Sequence, residues 1–550
     1  MKRSLARPGI WATLTLAALT LSPCAWQAEA RATTPAITSG GTLRTAFDAP
    51  LSTMDPAVGY DAYTWTGEHA VFDGLLDYSS GTGLAGTQLV PRLAASMPTV
   101  SKDGLTYTFQ LRHGVRFQPP LNREVTADDV KYSIERALSP RTPKAQMVGS
   151  SFWSSLQGVS DFWNKKAQHI SGITVSGKYG ITFKLTTPDR AFLNVLAMPF
   201  TSVVPHEWVD KYKDKFSEHP LGTGPFMVDS KDTVPGTRLV LVRNPNYFRK
   251  GLPYLDKVII DFNVADHLQI QRVQAGALDL AGNLVTSDDF LSLKNDPKWS
   301  RYLAYAPDIA VTYLAFNLKQ KPFEGNLKLR QAINMAINKQ QILKLINGRG
   351  VIMQGILPPT MPGADPKFSY YPYDPQKARA LLAAAGYGPN KLSIPLTYQQ
   401  SGDFDKIAQE IQAELKEIGI SIVLKPVSTD TWYGSVAYTQ KEGPMVLAPW
   451  GQDYPDPSDF FDPILTCNAG SNAAFYCNPA LDALAAKARG NPNDQARIAQ
   501  YHQMERMVMA DAPWVPIYDD VLYDFHGPHL GGFYIHPVWP FNYAEYYMMP

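Results

Sequence analysis

One segment, residues 392–448, constrains the fold more than any other, because its apolar periodicity changes from strand to helix and back. A strand is predicted from Leu392 to Tyr398, and the helix after it has apolar residues at helical spacing: Ile407, Ile411, Leu415 and Ile418. Gly419 ends this helix, a strand begins at Ile420, and another runs from Met445 to Ala448. This order predicts an α/β fold in which ligands bind beyond the carboxyl ends of the strands.

The loop after the last of these strands combines carboxylates with aromatic rings. Residues 450–467, W-G-Q-D-Y-P-D-P-S-D-F-F-D-P-I-L-T-C, hold four aspartates, three prolines and four aromatic residues. Aspartate beside proline is typical of turns and caps, which is the role expected of Asp456, Asp459 and Asp462. A Ca²⁺ loop needs acids at alternate positions and a later glycine, and an acid–base pair needs a partner that the sequence does not locate. The remaining interpretation is that Asp453 holds a cationic group of a ligand.

Other motifs give weaker signals. The segment Gly222-Thr-Gly-Pro-Phe226 is predicted to be a tight turn, because its proline removes a donor that a phosphate site would use. His206-Glu207-Trp-Val-Asp210 begins like a zinc-protease helix but lacks the second histidine. The three C-terminal histidines, His526, His529 and His536, could hold zinc or nickel, but neutral surface imidazoles are favoured. We therefore expect no metal site, no cofactor and no catalytic residue.

The charge balance excludes two classes of function. The chain has 550 residues, with 51 basic and 50 acidic side chains. A nucleic-acid groove needs a surplus of basic residues, and a membrane-surface anchor needs a polybasic stretch, so neither partner is predicted. The length suffices for two or more hydrophobic cores.

The N-terminus predicts export. Basic residues precede an apolar run, Ile10 to Leu21, which is too short to span a bilayer and is typical of a secretory signal peptide. We assign residues 1–30 to this signal, with cleavage after Ala30 in A-E-A or after Ala32 in A-R-A. Cys24 follows a proline, which fits a lipoprotein signal poorly. The mature protein is therefore expected to be periplasmic and free of lipid.

Two cysteines remain after cleavage, Cys467 and Cys477. An even pair in an oxidising compartment predicts one disulfide. A cysteine-based metal site is the alternative, but no histidine lies between the two residues. The disulfide is favoured.

Eight motifs in order resemble family 5 of the extracytoplasmic solute-binding proteins, the peptide, dipeptide and oligopeptide receptors of ATP-binding-cassette importers. Each motif is loose alone, but the ordered set is specific and covers nearly the whole chain after the signal. The motifs are G-T-L-R-T-A-F with S-T-M-D-P-A (41–57), V-F-D-G-L-L (71–76), L-V-P-R-L-A-A-S-M-P (89–98), D-G-L-T-Y-T-F-Q-L-R-H-G-V-R-F (103–117), T-A-D-D-V-K-Y-S-I-E-R-A (126–137), P-L-G-T-G-P-F (220–226), R-N-P-N-Y-F (243–248) and F-N-L-K-Q-K-P-F (316–323).

The resemblance implies a two-lobed periplasmic-binding-protein clamshell with an additional small domain inserted in lobe I. Ligand would bind between the lobes, and closure of the lobes would bury it. The implied lobe I takes residues 41–75, 200–306 and 515–550. The inserted domain takes 76–199, and lobe II takes 307–514.

The resemblance also implies a set of ligand-binding residues. Peptide receptors of this family hold the peptide α-ammonium with an aspartate on the loop after a lobe II strand, and Asp453 occupies that position. Trp450 and Tyr454 would flank it, and Trp432 would form part of the pocket wall. The two-cysteine loop also matches the dipeptide-receptor pattern.

One departure from the family concerns the ligand carboxylate. Dipeptide receptors carry an arginine just after the strand that precedes the Ile407 helix, whereas this chain has Y-Q-Q-S-G-D-F-D at 398–405. Gln399 and Gln400 occupy this place and complete the predicted ligand-binding set. Either a longer peptide binds, whose far end needs no fixed cation, or the ligand is not a peptide.

The function implied is that of a monomeric periplasmic receptor that captures peptides and delivers them to the permease of an importer in the inner membrane. An alternative on the same fold is a receptor for another solute, such as a nickel chelate or an oligosaccharide. A secreted hydrolase that uses the aspartate cluster as acid and base is a third interpretation. It lacks a recognisable nucleophile or metal constellation.

Overall fold

The computed structural model of the chain describes residues 37, 39–140, 142, 152–428, 431–432, 443–467 and 469–550. The predicted signal peptide and both of its cleavage sites lie outside these residues. In the described part of the chain, no helix combines the length and the apolar character needed to cross a membrane.

The described strands, in chain order, have the following bounds. They are β1 Thr42–Ala46, β2 Leu76–Tyr78, β3 Leu89–Pro91, β4 Thr99–Val100, β5 Thr106–Gln110, β6 Ile173–Ser176, β7 Gly180–Lys184, β8 Phe226–Val228, β9 Arg238–Arg243, β10 Lys257–Asp261, β11 Leu280–Ala281, β12 Leu303–Pro307, β13 Ala310–Phe316, β14 Gly350–Ile352, β15 Leu392–Gln399, β16 Ile420–Val427, β17 Met445–Gly451, β18 Trp514–Phe525, β19 Leu530–Gly531 and β20 Tyr547–Met548.

The described α-helices are listed in the same way. They are α1 Ala62–Val71, α2 Gly83–Gly86, α3 Ala127–Ala137, α4 Val159–Trp163, α5 Phe192–Val195, α6 His206–Tyr212, α7 Asp266–Gln274, α8 Ser287–Asn295, α9 Leu327–Ala336, α10 Lys339–Leu345, α11 Pro375–Ala384, α12 Gly402–Glu417, α13 Pro479–Arg489 and α14 Asp494–Asp511.

Three larger sheets organise the described chain. One has the order β11-β1-β10-β9-β8, with β1 parallel to β10 and to β11. A second, β4-β5-β7-β6, is antiparallel throughout. The largest has the order β12-β18-β13-β17-β15-β16, and β14 pairs with β18. The fold is therefore α/β with several sheets, as the sequence predicts.

The segment that most constrained the fold forms the expected unit. Strand β15 is parallel to both β16 and β17, and α12 connects β15 to β16. Helix α12 buries Ile407, Ile411 and Leu415 on one face, because these residues recur at helical spacing. Gly419 after the helix has a φ of 94°, which glycine adopts without strain. These parallel strands end at the same edge of the sheet, and the acidic loop begins there.

Several helix boundaries also follow the sequence. Helix α3 begins with a capping box, in which the Asp129 side chain accepts the main-chain N–H of Thr126 at 2.9 Å. Helix α11 begins after Asp374, whose side chain accepts the N–H of Lys377 at 2.9 Å. Such caps satisfy donors that the first helical turn leaves free.

The glycine-rich turn at Gly222–Phe226 packs directly on the end of α1. A Cβ at Gly224 would lie 2.5 Å from the carbonyl carbon of Val71, so only glycine allows this approach. The Gly224 N–H donates to the Val71 oxygen at 2.9 Å. The turn is scaffold, and its backbone is occupied by the protein itself.

The division into two lobes and an inserted domain stays a prediction. Strands of the first sheet come from residues 42–281, those of the second from 99–184, and those of the largest from 303–525. Strand β18 extends across the predicted boundary at residue 515 and pairs with both β12 and β13. It is therefore one of the segments that connect the parts of the chain assigned to different lobes.

Candidate functional site

A cavity of about 870 Å³ lies where the three predicted parts of the chain meet. Tyr60 comes from the predicted lobe I, Phe152 and residues 187–195 come from the inserted domain, and the remaining lining residues, 313–489, come from lobe II. This volume falls within the roughly 300–1,000 Å³ typical of small-molecule sites. The cavity is the candidate ligand site.

Asp453 lies in the wall of this cavity, two residues after β17 ends. Its main-chain N–H donates to the Asp459 carboxylate at 2.8 Å, which fixes the loop. The Tyr60 hydroxyl, which also lines the cavity, donates to Asp453 Oδ1 at 2.5 Å. Burial raises the pKa of Asp453, although the hydrogen bond from Tyr60 acts to lower it.

Three of the predicted aromatic residues line the same cavity: Trp450, Tyr454 and Trp432. The Trp450 indole N–H donates to the Asp459 main-chain oxygen at 3.1 Å, which orients the ring. Tyr454 is buried and makes an edge-to-face contact with Phe152 of the predicted inserted domain, with ring centroids 6.2 Å apart. These rings therefore form rigid apolar walls around Asp453.

Gln399 and Gln400 do not line the cavity formed by the described residues. Gln399 is the last residue of β15 and pairs in register with Val427 of β16. Gln400 is exposed, and its main-chain N–H donates to the Val427 oxygen at 2.8 Å. The cavity is lined instead by residues of β17 and of the loop after it. The fold therefore does not bring the two predicted glutamines into the same cavity as Asp453.

The other acids of the loop have separate roles. Asp456 caps the short 3-10 helix Pro457–Phe460 as expected, and it also accepts a hydrogen bond from the buried Arg497 at 2.6 Å. Asp462 forms an ion pair with Arg489. Asp459 holds the Asp453 N–H. The prediction that Asp459 and Asp462 serve only as turn caps is therefore wrong, because the tertiary fold gives each another partner.

Asp456, which has an arginine partner, and Asp459, which has none among the described residues, differ in the direction of their pKa shifts. Burial is the largest single influence on Asp456 and acts to raise its pKa, but the charge of Arg497 and the hydrogen bonds from Arg497 and Ser458 together lower it. Asp459 is fully buried, and burial followed by the charge of Asp453 raises its pKa well above the usual range. A buried carboxylate without a cation favours the protonated form.

Residues on one face of helix α13 line the cavity. Its lining residues recur at helical spacing: Asp482, Ala485, Ala486 and Arg489. The carboxylates of Asp462 and Asp189 raise the pKa of Arg489, so the guanidinium stays charged. Sequence reasoning missed Arg489, although the i, i+3, i+4, i+7 spacing from Asp482 was a signal that these four residues share a face.

The disulfide loop forms a further wall. Cys467 and Cys477 are bonded, which confirms the predicted pairing. Residues of this loop line the cavity beside α13: Thr466, Cys467, Ala469, Gly470, Ser471 and Ala473. The bond therefore constrains a segment that contacts whatever the cavity holds.

Contacts beside the cavity connect the predicted inserted domain with the predicted lobe II. The Arg190 main-chain N–H donates to the Arg489 oxygen at 2.9 Å, and the Arg190 side chain pairs with Asp494 at 2.5 Å. On the other side, the Gln452 amide donates to the Pro537 oxygen at 2.5 Å. The described chain is therefore in a conformation in which both sides of the cavity touch.

The C-terminal histidines do not form a cluster. His536 is buried, and its Nδ1 accepts main-chain N–H groups of Val538 and Trp539 at 3.0 Å each. Its Nε2 therefore carries the proton and donates to the Ser79 oxygen at 2.9 Å. The expectation of a surface imidazole at His536 is wrong, because this ring is needed to satisfy buried main-chain groups.

Within the described ranges, one group of acids and histidine has the spacing of metal ligands: Asp129, His206 and Glu207. The Arg123 guanidinium already donates to Asp129 at 2.6 Å and to Glu207 at 2.8 Å. Both carboxylates thus have a cation, and the group is explained as an ion-pair network that holds the start of α6 to α3.

Comparison with protein families gives a match over most of the chain. The family described as bacterial extracellular solute-binding proteins, family 5, matches residues 88–472. The chain is 29% identical over 520 residues to di/tripeptide-binding protein 2 of Pseudomonas aeruginosa, covering 90% of this chain and 93% of the relative. It is 30% identical over 566 residues to heme-binding protein A of Haemophilus influenzae, covering 98% of each.

A solved structure extends the similarity to three dimensions. The periplasmic binding protein DppA of Helicobacter pylori, which is associated with an ABC transporter and was solved in complex with the peptide STSA, has a TM-score of 0.76 and 26% identity. The match covers 93% of this chain and 99% of that one. The predicted periplasmic-binding-protein fold is confirmed.

Proposed function

Because the chain belongs to the bacterial extracellular solute-binding proteins of family 5, we propose that it captures peptides in the cavity beside Asp453. Members of this family are solute-binding proteins and not enzymes. Two similar proteins support peptides as the ligand class: one is named a di/tripeptide-binding protein, and the other was solved with a bound peptide. The captured peptide is delivered to the permease of an ATP-binding-cassette importer, and the receptor acts as a periplasmic monomer without catalytic activity.

One observation carries the choice of ligand. Asp453 faces the cavity with a tyrosine hydroxyl as its partner and, among the described residues, no cationic side chain pairs with it. A peptide α-ammonium supplies the missing positive charge. In an enclosed site, a charge-assisted hydrogen bond of this kind contributes about 1.5–3 kcal/mol. Trp450, Tyr454 and Trp432 then contact the first residues of the peptide.

The charges of the cavity also bear on the alternatives. Its described wall carries the carboxylates Asp189, Asp453, Asp462 and Asp482 against one guanidinium, Arg489. Arg489 is already paired with Asp462. Such a wall favours ligands with free amines and disfavours dianions, since like charges repel across a dry site. Heme, suggested by the name of one relative, carries two propionates, and this wall disfavours it.

Gln399 and Gln400 keep a lesser role in this proposal. They lie at the end of β15, outside the described cavity, and would contact only a peptide long enough to extend past β17. Arg489 is the one lysine or arginine among the described residues that line the cavity, and its ion pair with Asp462 limits its availability to a ligand carboxylate. The arrangement favours peptides whose C-terminus is not held by a dedicated cation.

The test is to identify what the protein carries. The exported protein is isolated gently, denatured, and its released small molecules are analysed by mass spectrometry. Peptides with free N-termini are the expected result. Recovery of a porphyrin, a metal chelate or a sugar in stoichiometric amount would overturn the proposal, as would cleavage of a peptide mixture by the purified protein.

A further inference from the structure

The four aspartates of the loop divide into two pairs. Asp456 and Asp462 each have an arginine partner, Arg497 and Arg489 respectively. Asp453 and Asp459 have no such partner: within the described part of the chain, no lysine, arginine or histidine forms an ion pair with either. The fold thus provides cations for two buried acids and leaves two adjacent acids without one.

Asp459 is the more enclosed of the unpaired acids. Its side chain is 0% exposed, and it does not line the cavity. Its Oδ2 accepts the Asp453 main-chain N–H at 2.8 Å. Its Oδ1 is buried and has no hydrogen-bond partner among the described residues. A fully buried carboxylate with a free oxygen is costly unless it is protonated or a cation approaches.

The groups around this pair do not supply a counter-charge. Tyr60 donates to Asp453, and the Trp450 indole donates to the Asp459 main-chain oxygen. Among the described residues, the other titratable or charged groups whose electrostatic interactions reach the pair are Tyr78, Tyr454, Asp456 and, through Asp456, Arg497. Both tyrosines are neutral at physiological pH, and Arg497 is neutralised by Asp456.

We propose that Asp459 is a positioning residue of the ammonium site, and that the Asp453–Asp459 pair gives up a proton when a cationic ligand binds. This inference rests on the proposed function, since it takes the ligand cation to be a peptide ammonium at Asp453. In the ligand-free protein the pair holds one proton and one negative charge. The ammonium adds a positive charge beside Asp453, and the proton leaves to solvent through the cavity.

The proton release is expected because the two carboxylates are buried away from water. Two neighbouring carboxylates without a cation do not both ionise near neutral pH, because burial and mutual repulsion favour one proton on the pair. A cation at contact distance reverses this preference. Since the bound state then holds fewer protons, affinity rises with pH, by up to about tenfold per pH unit for each proton released.

The experiment measures protons directly. Titration calorimetry with alanine peptides of two to five residues, in buffers of different ionisation enthalpy between pH 6.5 and 7.5, gives the number of protons released per ligand. The wild-type protein is expected to release more protons than Asp459→Asn, by up to one per peptide. The variant amide still accepts the Asp453 N–H but does not ionise. The peptide amine, with a pKa of about 7.7–8.0, contributes equally to both proteins.

A matched control is available elsewhere in the fold. Asp524 is also a buried carboxylate with an unpartnered oxygen, and it lies outside the cavity. Asp524→Asn is expected to release as many protons as the wild type. Equal proton release by the wild type and Asp459→Asn would overturn the proposal while leaving peptide binding intact. Failure of every alanine peptide to bind would instead contradict the proposed function, and with it this inference.

A second measurement does not depend on a folded variant. Infrared difference spectra of wild-type protein labelled with ¹³C-aspartate report the C=O stretch of protonated carboxyl groups. We expect a protonated-carboxyl band in the ligand-free protein to disappear when the bound alanine peptide is added at pH 7. An unchanged band would overturn the proposal.

Discussion

At the scale of single residues, the acidic loop shows how position in the fold separates identical side chains. Asp453 faces a cavity, Asp456 and Asp462 face arginines, and Asp459 faces the main chain of Asp453. Each aspartate therefore responds differently to the same substitution. The first two predictions use this contrast.

The first prediction concerns Asp453 and the ligand amine. Asp453→Asn keeps the shape of the side chain and removes its charge, which leaves a ligand ammonium desolvated without a partner. We expect a loss of about 2–5 kcal/mol, or about 30- to several-thousand-fold in affinity. N-acetylation of the peptide removes the same interaction, so the two losses should not add. Calorimetry of the four combinations measures this, and additive losses would mean that another carboxylate holds the amine.

The second prediction separates stability from binding at Asp456. Asp456→Asn leaves Arg497 buried without its carboxylate, since that ion pair is almost fully enclosed. Removing one partner of a buried ion pair typically costs about 3–5 kcal/mol. Asp453→Asn removes an unpaired acid and should leave the free energy of unfolding unchanged or higher. Urea denaturation at pH 7 compares the two, and equal stability losses would contradict this assignment.

At the scale of elements, strand β18 carries buried carboxylates that titrate far from their usual range. Burial, and then the charge of Asp308, raises the pKa of Asp519 to about 9. Burial raises the pKa of Asp520 and of Asp524 to about 7 each. The Ala310 N–H donates to Asp519 at 3.2 Å. These three aspartates of β18 therefore contribute most to the stability of the folded protein at low pH, where they are protonated.

The third prediction follows from the sign of these shifts. A folded pKa of about 9 for Asp519 lies above an unfolded value of about 3.9, so its stabilisation is present at low pH and is lost as pH rises towards 9. Asp519→Asn should therefore become more stable relative to wild type as pH rises from 5 to 9, by up to about 1.4 kcal/mol per pH unit. Denaturant unfolding at several pH values measures the difference.

The control for this experiment is Asp494, whose side chain is 76% exposed. The stability of Asp494→Asn relative to the wild type is the reference with which the Asp519→Asn difference is compared at each pH. The comparison between proteins is needed because other buried groups titrate in the same range, such as Lys339, whose pKa burial lowers to about 7. A pH-independent difference between Asp519→Asn and wild type would show that Asp519 is ionised in the folded state.

The fourth prediction concerns the disulfide loop as an element. Replacing both Cys467 and Cys477 with serine removes a crosslink between residues ten positions apart in the sequence. In the chain-entropy account of disulfides, this should lower the free energy of unfolding by about 2–3 kcal/mol. Peptide affinity should also fall, because residues 466–473 line the cavity. Thermal unfolding and calorimetry measure the two effects. A reducing agent should weaken the wild type and leave the double-serine variant unchanged; equal responses would contradict the assignment.

At the scale of the whole molecule, the cavity exists only because distant parts of the chain meet. Tyr60 reaches Asp453 across 393 positions of sequence, and Arg190 reaches Asp494 across 304. Those contacts join parts of the chain that are assigned to different predicted domains, so separating these parts must break them. Ligand contact on both walls therefore favours the conformation described.

The fifth prediction concerns the exported protein as a whole. We expect it to begin at Arg31 or Thr33 and to carry no lipid, because the A-E-A and A-R-A sites fit signal cleavage and Pro23 spoils the lipoprotein box at Cys24. Intact-mass spectrometry of protein recovered from the periplasm distinguishes the two starts. A mass that includes a diacylglycerol on Cys24 would contradict it.

The sequence by itself determined the elements and the family. Strand and helix periodicity is local, so β15, α12, β16 and β17 were predicted to within a few residues, and the ordered motifs identified the fold. The pair Cys467–Cys477 was also predictable, since few cysteines leave few pairings. Asp453 could be proposed as a ligand-binding residue from the sequence, because it follows a strand end within a recognisable motif.

The tertiary structure alone decided which charges meet. Nothing local in the sequence connects Asp456 with Arg497 or Asp462 with Arg489, since these pairs form only when α13 and α14 pack on the loop. It also placed Gln399 and Gln400 away from the cavity and buried His536. Electrostatic interactions depend on distance and burial, and both depend on the packing of elements far apart in sequence. That Asp453 and Asp459 have no cationic partner among the described residues is therefore visible only in the folded chain.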